Sequence, residues 1–304
     1  MAKQVGKSVP GGIGGWKVKP VSRNVLHLRC DTKTNALARP SPILLVGDCH
    51  WDNPDCDRDQ LAADLDRAIE RDSPIFIGGD FFCAMQGQWD RRASKEKLRE
   101  EHRSGCYLDS LVDTAAEWLK PWQSHIVLIC LGNHETAILK HHETNLTDRL
   151  TAAIRKQGGI ALSGGYAGWV RMLIQNNTFR QSFTMHYHHG FGGGGPVTKG
   201  KIDFNRYRDQ ADFDAMWSQH VHHTEIFDTR VAYLNHASEV CHRSVWNLRT
   251  PSYKDEYKDG FGGWHVERGQ GPRPKGGIWL EVYPVKNGHK VSRRYELHAE
   301  RTRE

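Results

Sequence analysis

The chain lacks any run of about 18 apolar residues, the length a membrane-crossing helix needs, so no membrane partner is expected. Met1 to Gly15 holds no apolar core of the kind a secretory signal carries, and the expected location is cytoplasmic. No Cys-x-x-Cys pair occurs among Cys30, Cys49, Cys56, Cys83, Cys106, Cys130 and Cys241, and their number is odd. A disulfide framework or a structural zinc knot is thereby disfavoured, and the cysteines read as reduced thiols. Internal repeats are missing, which argues against a solenoid or propeller. No convincing linker divides the chain, so one domain over residues 41–304 is expected, after an N-terminal arm over residues 1–40 whose first half is rich in Gly, Lys and Pro. Charge of one sign is also scarce. A net +6 permits an anionic substrate without demanding nucleic acid.

What is plentiful is histidine, 18 in 304 residues, and histidine is a common ligand of transition metals. The placement of these residues follows from the apolar pattern. Ile43 to Val46, Ile75 to Ile77 and Ile126 to Leu131 are short apolar runs, each ended by glycine, and read as buried strands. Between and after them, Leu61, Leu65, Ala68 and Ile69 recur at helical spacing, as do Leu108, Leu111, Val112, Ala115 and Leu119, and then Leu146, Leu150, Ala153 and Ile154. Alternation of this kind predicts stacked β-α units and an α/β fold. In the second half, Ser182 to His188 and Asp214 to Trp217 read as strands, and Ile278 to Val285 with Val291 to Leu297 as a terminal β-pair around Lys286-Asn287-Gly288. Residues 251–275 read as a long loop.

Each of the first three strands runs into polar residues: Gly47-Asp48-Cys49-His50, then Gly79-Asp80, then Gly132-Asn133-His134-Glu135. In open α/β sheets ligands gather beyond the carboxyl ends of strands, which would bring these residues to one rim. His186, His188 and His189 end a later strand, and His220 and His222 follow another. Taken singly, the residues have plainer readings. Asp48 and Asp80 could be helix N-caps, Asn133 a turn residue, and His220 to His223 a solvated run. His141 and His142 read as helix surface. Cys49 should point away from a site that holds Asp48 and His50, by strand alternation, and Cys83 should pack inside.

Taken together and in order, these elements resemble the calcineurin-like metallophosphoesterase superfamily, whose pattern is D-x-H, G-D, G-N-H-D/E, H and G-H-x-H. The resemblance runs from about residue 43 to residue 223, with Gln219 where the family usually has glycine. It implies a metallophosphoesterase-type β-sandwich flanked by helices, and two divalent metal ions, Mn²⁺ foremost, with Fe, Zn²⁺ or Ni²⁺ as alternatives. Asp48, His50, Asp80 and His222 would hold one ion. Asp80, Asn133, His189 and His220 would hold the other, with Asp80 bridging. The motif places its ligand directly before glycine, which favours His189, with His188 as rival. The implied reaction is hydrolysis of a phosphate ester by a hydroxide shared between the ions. His134 would face the phosphate as general acid or transition-state clamp, and Glu135 would orient or charge His134.

The substrate reading is a phosphodiester, with a nuclease or a nucleotide-directed enzyme included; a phosphomonoesterase is the alternative and a non-catalytic scaffold the third choice. Protein phosphatases of the superfamily follow the first histidine with glycine and the second motif with V-D-R-G. Here Trp51 and Phe81-Phe82-Cys83 stand in those places, and the chain looks more like phage and bacterial members. The Gly190 to Gly195 stretch reads as a loop whose backbone N–H groups could approach a phosphate, and Lys199, Lys201, Arg206 and Arg208 beyond it are candidates for substrate oxygens. Trp264 and His265 are candidates for the pocket rim.

Overall fold

Trp16 and Val18 are fully buried, so the segment expected as an arm is structured over much of its length. The structure, a computed structural model, describes residues 12–32, 39–85, 98–103, 105–177, 179–193, 199–262, 264–284 and 295–302. Strands β1 (Lys17–Ser22) and β2 (Val25–Asp31) pair antiparallel at the edge of a sheet. Next come β3 (Ile43–Val46), helix α1 (Arg58–Glu70), β4 (Ile75–Ile77), α2 (Tyr107–Trp118), β5 (Ile126–Ile129), α3 (Asn133–His142), α4 (Leu146–Lys156) and β6 (Leu162–Ser163). Then follow β7 (Ala167–Gln175), β8 (Arg180–His188), α5 (Ile202–Gln210), β9 (Ala215–Ser218), β10 (Glu225–Leu234) and β11 (Val240–Arg249). A short α6 (Trp264–Glu267) lies in the stretch expected as loop, and β12 (Ile278–Pro284) and β13 (Tyr295–Arg301) end the chain. The expected turn at Lys286 to Gly288 lies outside the described residues.

Two sheets form a sandwich. One has the order β13-β12-β3-β4-β5-β6 and the other β1-β2-β7-β8-β9-β11-β10. The strands β3, β4, β5 and β6 run parallel. Both faces of such strands are covered, which is why they read as unbroken apolar runs. Alternate residues face opposite layers. Leu44, Val46, Ile75 and Ile77 pack on Leu61 and Leu65 of α1, Leu111 and Ala115 of α2, and Leu150 and Ile154 of α4. Ile43, Leu45, Phe76 and Val127 face the second sheet and meet Met172, Phe183, Met185 and Trp217. On that sheet's far side, Phe204 and Tyr207 of α5 pack on Met216 and Val245. The result is the α/β sandwich with flanking helices that the motifs implied. No helix among the described residues is long and apolar enough to cross a membrane.

Candidate metal centre

Parallel strands end at one edge, and that edge carries the chemistry. Backbone bonds knit the loops beyond it: Asp48 N–H donates to Gly79 O (3.1 Å) and His50 N–H to Asp80 O (2.9 Å). From the other sheet, β8 runs into His189 and the parallel β9 into Gln219 and His220, with Gln219 N–H donating to His189 O at 3.1 Å. A side-chain bond ties the two sheets, since Asp48 Oδ2 accepts the His220 N–H at 2.8 Å. Asp48, His50, Asp80, His220 and His222 all adopt left-handed backbone conformations, with φ of 47°, 47°, 56°, 78° and 55°. Such conformations cost side-chain-bearing residues about 1–3 kcal/mol each and persist where surrounding structure enforces them, typically at functional sites. The helix-cap reading fails, because α1 is capped by Asp57 and α3 by Gly132.

The donors fall into two adjacent groups. Asp48, His50 and His222 bring ligand atoms within 4.8 Å of one another, and so do Asp80, His189 and His220. In the first group, His50 Nε2 and His222 Nε2 face each other at 3.2 Å, and Asp48 Oδ1 lies 3.8 Å from His222 Nε2. In the second, His189 Nε2 lies 3.2 Å from Asp80 Oδ2 and 2.9 Å from Asn133 Oδ1. His188 turns the other way: its Nδ1 accepts the Gly190 N–H at 2.9 Å, while His186 packs on Trp169. His189 is therefore the histidine of that run that joins the group.

A family model for calcineurin-like phosphoesterases matches residues 41–258. The chain belongs to the calcineurin-like phosphoesterase family. A comparison with curated proteins finds no match. Among solved structures, vacuolar protein sorting 29 from Cryptosporidium parvum is 12% identical, over 87% of this chain and 98% of that one, with a TM-score of 0.36. Vacuolar protein sorting 29 from Entamoeba histolytica, complexed with Zn²⁺, is 13% identical over 86% and 98% of the two chains (TM-score 0.35). A predicted phosphoesterase from Streptococcus pneumoniae is 10% identical over 87% and 100% (TM-score 0.31).

The donor set of this calcineurin-like phosphoesterase fits divalent cations. Imidazole nitrogen and carboxylate oxygen are the ligands that Mn²⁺, Fe and Zn²⁺ take. Asp48 Oδ1 is buried with no hydrogen-bond partner among the described residues, an expense that a cation would relieve. Burial, reinforced by the charge of Asp80, raises the Asp48 carboxyl, whereas for Asp80 burial is outweighed by His189, His134 and His50, which hold it well below the usual carboxylate range. Outer partners hold three of the rings. His189 Nδ1 meets Gln219 Oε1 at 3.2 Å, His222 Nδ1 lies 3.6 Å from Glu256, and the His220 ring bonds the Gly192 backbone. Partners of this kind fix the ring and its tautomer.

His134 stands beside both groups. Its Nδ1 donates to the Cys83 carbonyl at 2.5 Å, and its Nε2 lies 3.8 Å from Asp80 Oδ2. The expectation that Glu135 orients or charges His134 is not met. The Glu135 carboxylate is fully buried and accepts three backbone N–H groups: Asp80 (3.0 Å), Gly132 (2.9 Å) and Phe82 (2.9 Å). Burial, then the charge of Asp80, raises its pKa to about 8. Glu135 thus braces the Asp80 loop against the start of α3, and the Cys83 carbonyl orients His134. Glu135→Ala should leave three buried amides without an acceptor. At about 1–3 kcal/mol for each orphaned donor, the expected loss is about 3 kcal/mol or more. Urea unfolding of the metal-free protein measures it, and a loss under about 1 kcal/mol would show that those bonds do not brace the loop.

A cleft of about 960 Å³ opens over the centre, lined by His50, Asp80, Asn133, His134, His220 and His222. Its charged lining is mixed: Lys254, Lys258, Arg268 and Arg273, all in the stretch expected as loop, stand beside Asp55, Asp255, Glu256 and Glu267, with Lys254 paired to Glu256 and Lys258 to Asp55. The basic residues expected to meet substrate are elsewhere. Lys201 pairs with Glu225 (3.5 Å), Arg206 with Asp203 (3.8 Å), and Arg208 bonds Thr229 (2.8 Å), on and beside α5. His265 is buried against Glu256 at 3.2 Å rather than at the rim. Cys49 and Cys83 are buried, Cys49 in the core beneath the helices and Cys83 with its sulfur grouped with His50 and His134, and burial raises both thiols, Cys83 to about 12.

Proposed function

We propose that this phosphoesterase hydrolyses phosphodiesters, with a nucleic-acid strand or nucleotide as substrate, using two divalent cations of which Mn²⁺ is the first candidate. The observation that carries the reading is the pair of donor groups on the floor of a wide cleft that Arg268 and Arg273 also line. Asp48, His50 and His222 would hold one cation and Asn133, His189 and His220 the other, with Asp80 between them. When bound, such a pair supplies positive charge at phosphorus and a water acidic enough to attack near neutral pH.

The chain's own groups do the rest. His134 sits with Nδ1–H committed to the Cys83 carbonyl, so Nε2 is the nitrogen left to face a phosphate. A proton carried on Nε2 passes to the leaving oxygen as its bond to phosphorus breaks and the bond from the attacking water oxygen forms. The first turn of α3 meets Asp80, whose Oδ1 accepts the His134 N–H at 2.9 Å, and a helix N-terminus favours anionic charge. Arg273 lines the cleft, held by the Val221 carbonyl at 2.7 Å, between His220 and His222 in sequence, and by the Gln270 side-chain oxygen. A phosphate beyond the scissile one would fit that guanidinium, and a small monoester leaves it unused.

The test compares bis-aryl phosphate, aryl phosphate and single-stranded DNA at matched Mn²⁺ and pH. Diester turnover above monoester turnover is expected. DNA affinity should fall with salt by roughly one log unit per log unit of salt for each phosphate contact, and Arg273→Ala should lower that slope by about one. Preference for the monoester with no DNA cleavage would replace this reading with a small-molecule phosphatase.

A further inference from the structure

Gln219 is buried to 1% exposure at the end of β9, and its side chain crosses from one sheet to the other beneath the second donor group. Two glycines clear its path. A Cβ on Gly78 would lie 2.2 Å from Gln219 Nε2, and one on Gly47 would lie 2.8 Å from its Cγ. The amide ends on the loop that carries Asp80, where Oε1 accepts the Gly79 N–H at 2.8 Å. That bond fixes which way the amide points, because a peptide N–H can only donate and only the amide oxygen can accept. The same oxygen faces His189 Nδ1 at 3.2 Å. An acceptor there requires Nδ1 to carry the ring proton. Neutral His189 is then left with its lone pair on Nε2, which lies 2.9 Å from Asn133 Oδ1 and 3.2 Å from Asp80 Oδ2.

We propose that Gln219 is a positioning residue for the second cation: one oxygen selects the ligating tautomer of His189 and holds the Asp80 loop against β9. The proposal rests on the dinuclear reading above. It predicts an asymmetry that simple packing does not. The Asp80–Asn133–His189–His220 site should depend on the Gln219 oxygen, and the Asp48–His50–His222 site should not.

Gln219→Met fills the slot with similar volume and removes the acceptor, while Gln219→Glu keeps an acceptor toward both donors. Calorimetric titration of metal-free protein with Mn²⁺ reads two affinities per chain. Removing an outer partner of a ligating histidine costs about 10–100-fold in affinity, so Gln219→Met should lose that much at one site only, and Gln219→Glu should recover most of it. Circular dichroism establishes that each variant is folded. Should Gln219→Met fail to fold, long-range ¹H–¹⁵N spectra of wild-type protein loaded with Zn²⁺ decide the matter: His189 should be protonated at Nδ1. Two wild-type affinities in Gln219→Met, equal losses at both sites, or an Nε2-protonated His189 would overturn the proposal. Wild-type protein that takes up fewer than two ions would instead overturn the dinuclear reading.

Discussion

Asp80→Asn should strip at least one cation and cut turnover of a bis-aryl phosphate by about 10²-fold or more, beyond the usual cost of an outer-partner mutation. The substitution keeps the shape of the side chain and an oxygen to accept the His134 N–H, which Asp80 Oδ1 now does at 2.9 Å. What it removes is charge. Asp80 is buried among His189, His134 and His50, and these hold its carboxyl ionised despite burial. An amide in that place leaves the imidazoles without an anion and offers weaker donation to any cation between the two groups. Loss of metal and loss of rate should therefore arrive together, and raising Mn²⁺ should restore part of both. Elemental analysis after reconstitution gives the metal count and a bis-aryl phosphate assay the rate. A variant that keeps two ions per chain at wild-type turnover would show that Asp80 is not the bridge.

The place of Asp80 at the sheet's rim was legible because the physics around it is one-dimensional. Ile43–Val46, Ile75–Ile77 and Ile126–Ile129 are buried on both faces, so the sequence shows them as solid apolar runs, and whatever follows a parallel strand lies at the rim. Nothing comparable marks β1, where Val18 is the only buried residue of six and Pro20 breaks the pattern, or β10, which alternates between half-buried and exposed positions. Edge strands of this kind are held by tertiary contact, which local pattern does not reveal. The choice of His189 over His188 could not be settled by alternation, since β8 ends at His188 and the chain turns at Gly190 with φ 121°. Backbone acceptors leave no trace in a sequence at all, which is why the Cys83 carbonyl behind His134 was missed. Glu256 and Arg273 were missed for a different reason: they lie in residues 251–275, where Gly and Pro erase periodicity. The departure at Gln219 was visible, but its meaning depends on Gly47 and Gly78, far away in the chain and adjacent in space.

His134→Ala should leave both cations in place and lower turnover by about 10²–10⁴-fold, the range for one acid–base group. The separation of these effects follows from geometry. His134 contributes its backbone N–H to Asp80, and alanine keeps that bond. Its ring is committed on one side to the Cys83 carbonyl, so only Nε2 faces the donor groups, at 3.8 Å from Asp80 Oδ2. That distance exceeds the 3.2 Å between His189 and the same oxygen, and it suits a group that reaches the substrate past the cations. If Nε2 serves the leaving oxygen, the penalty must depend on that oxygen's basicity. For an aryl ester whose phenolate leaves unaided, His134→Ala should cost little, and for an alkyl or nucleotide ester it should cost the full factor. The measurement is turnover against leaving-group pKa in wild type and variant, at equal metal content. Parallel lines would reduce His134 to a charge clamp with no proton to give, and loss of a cation on substitution would make it a ligand.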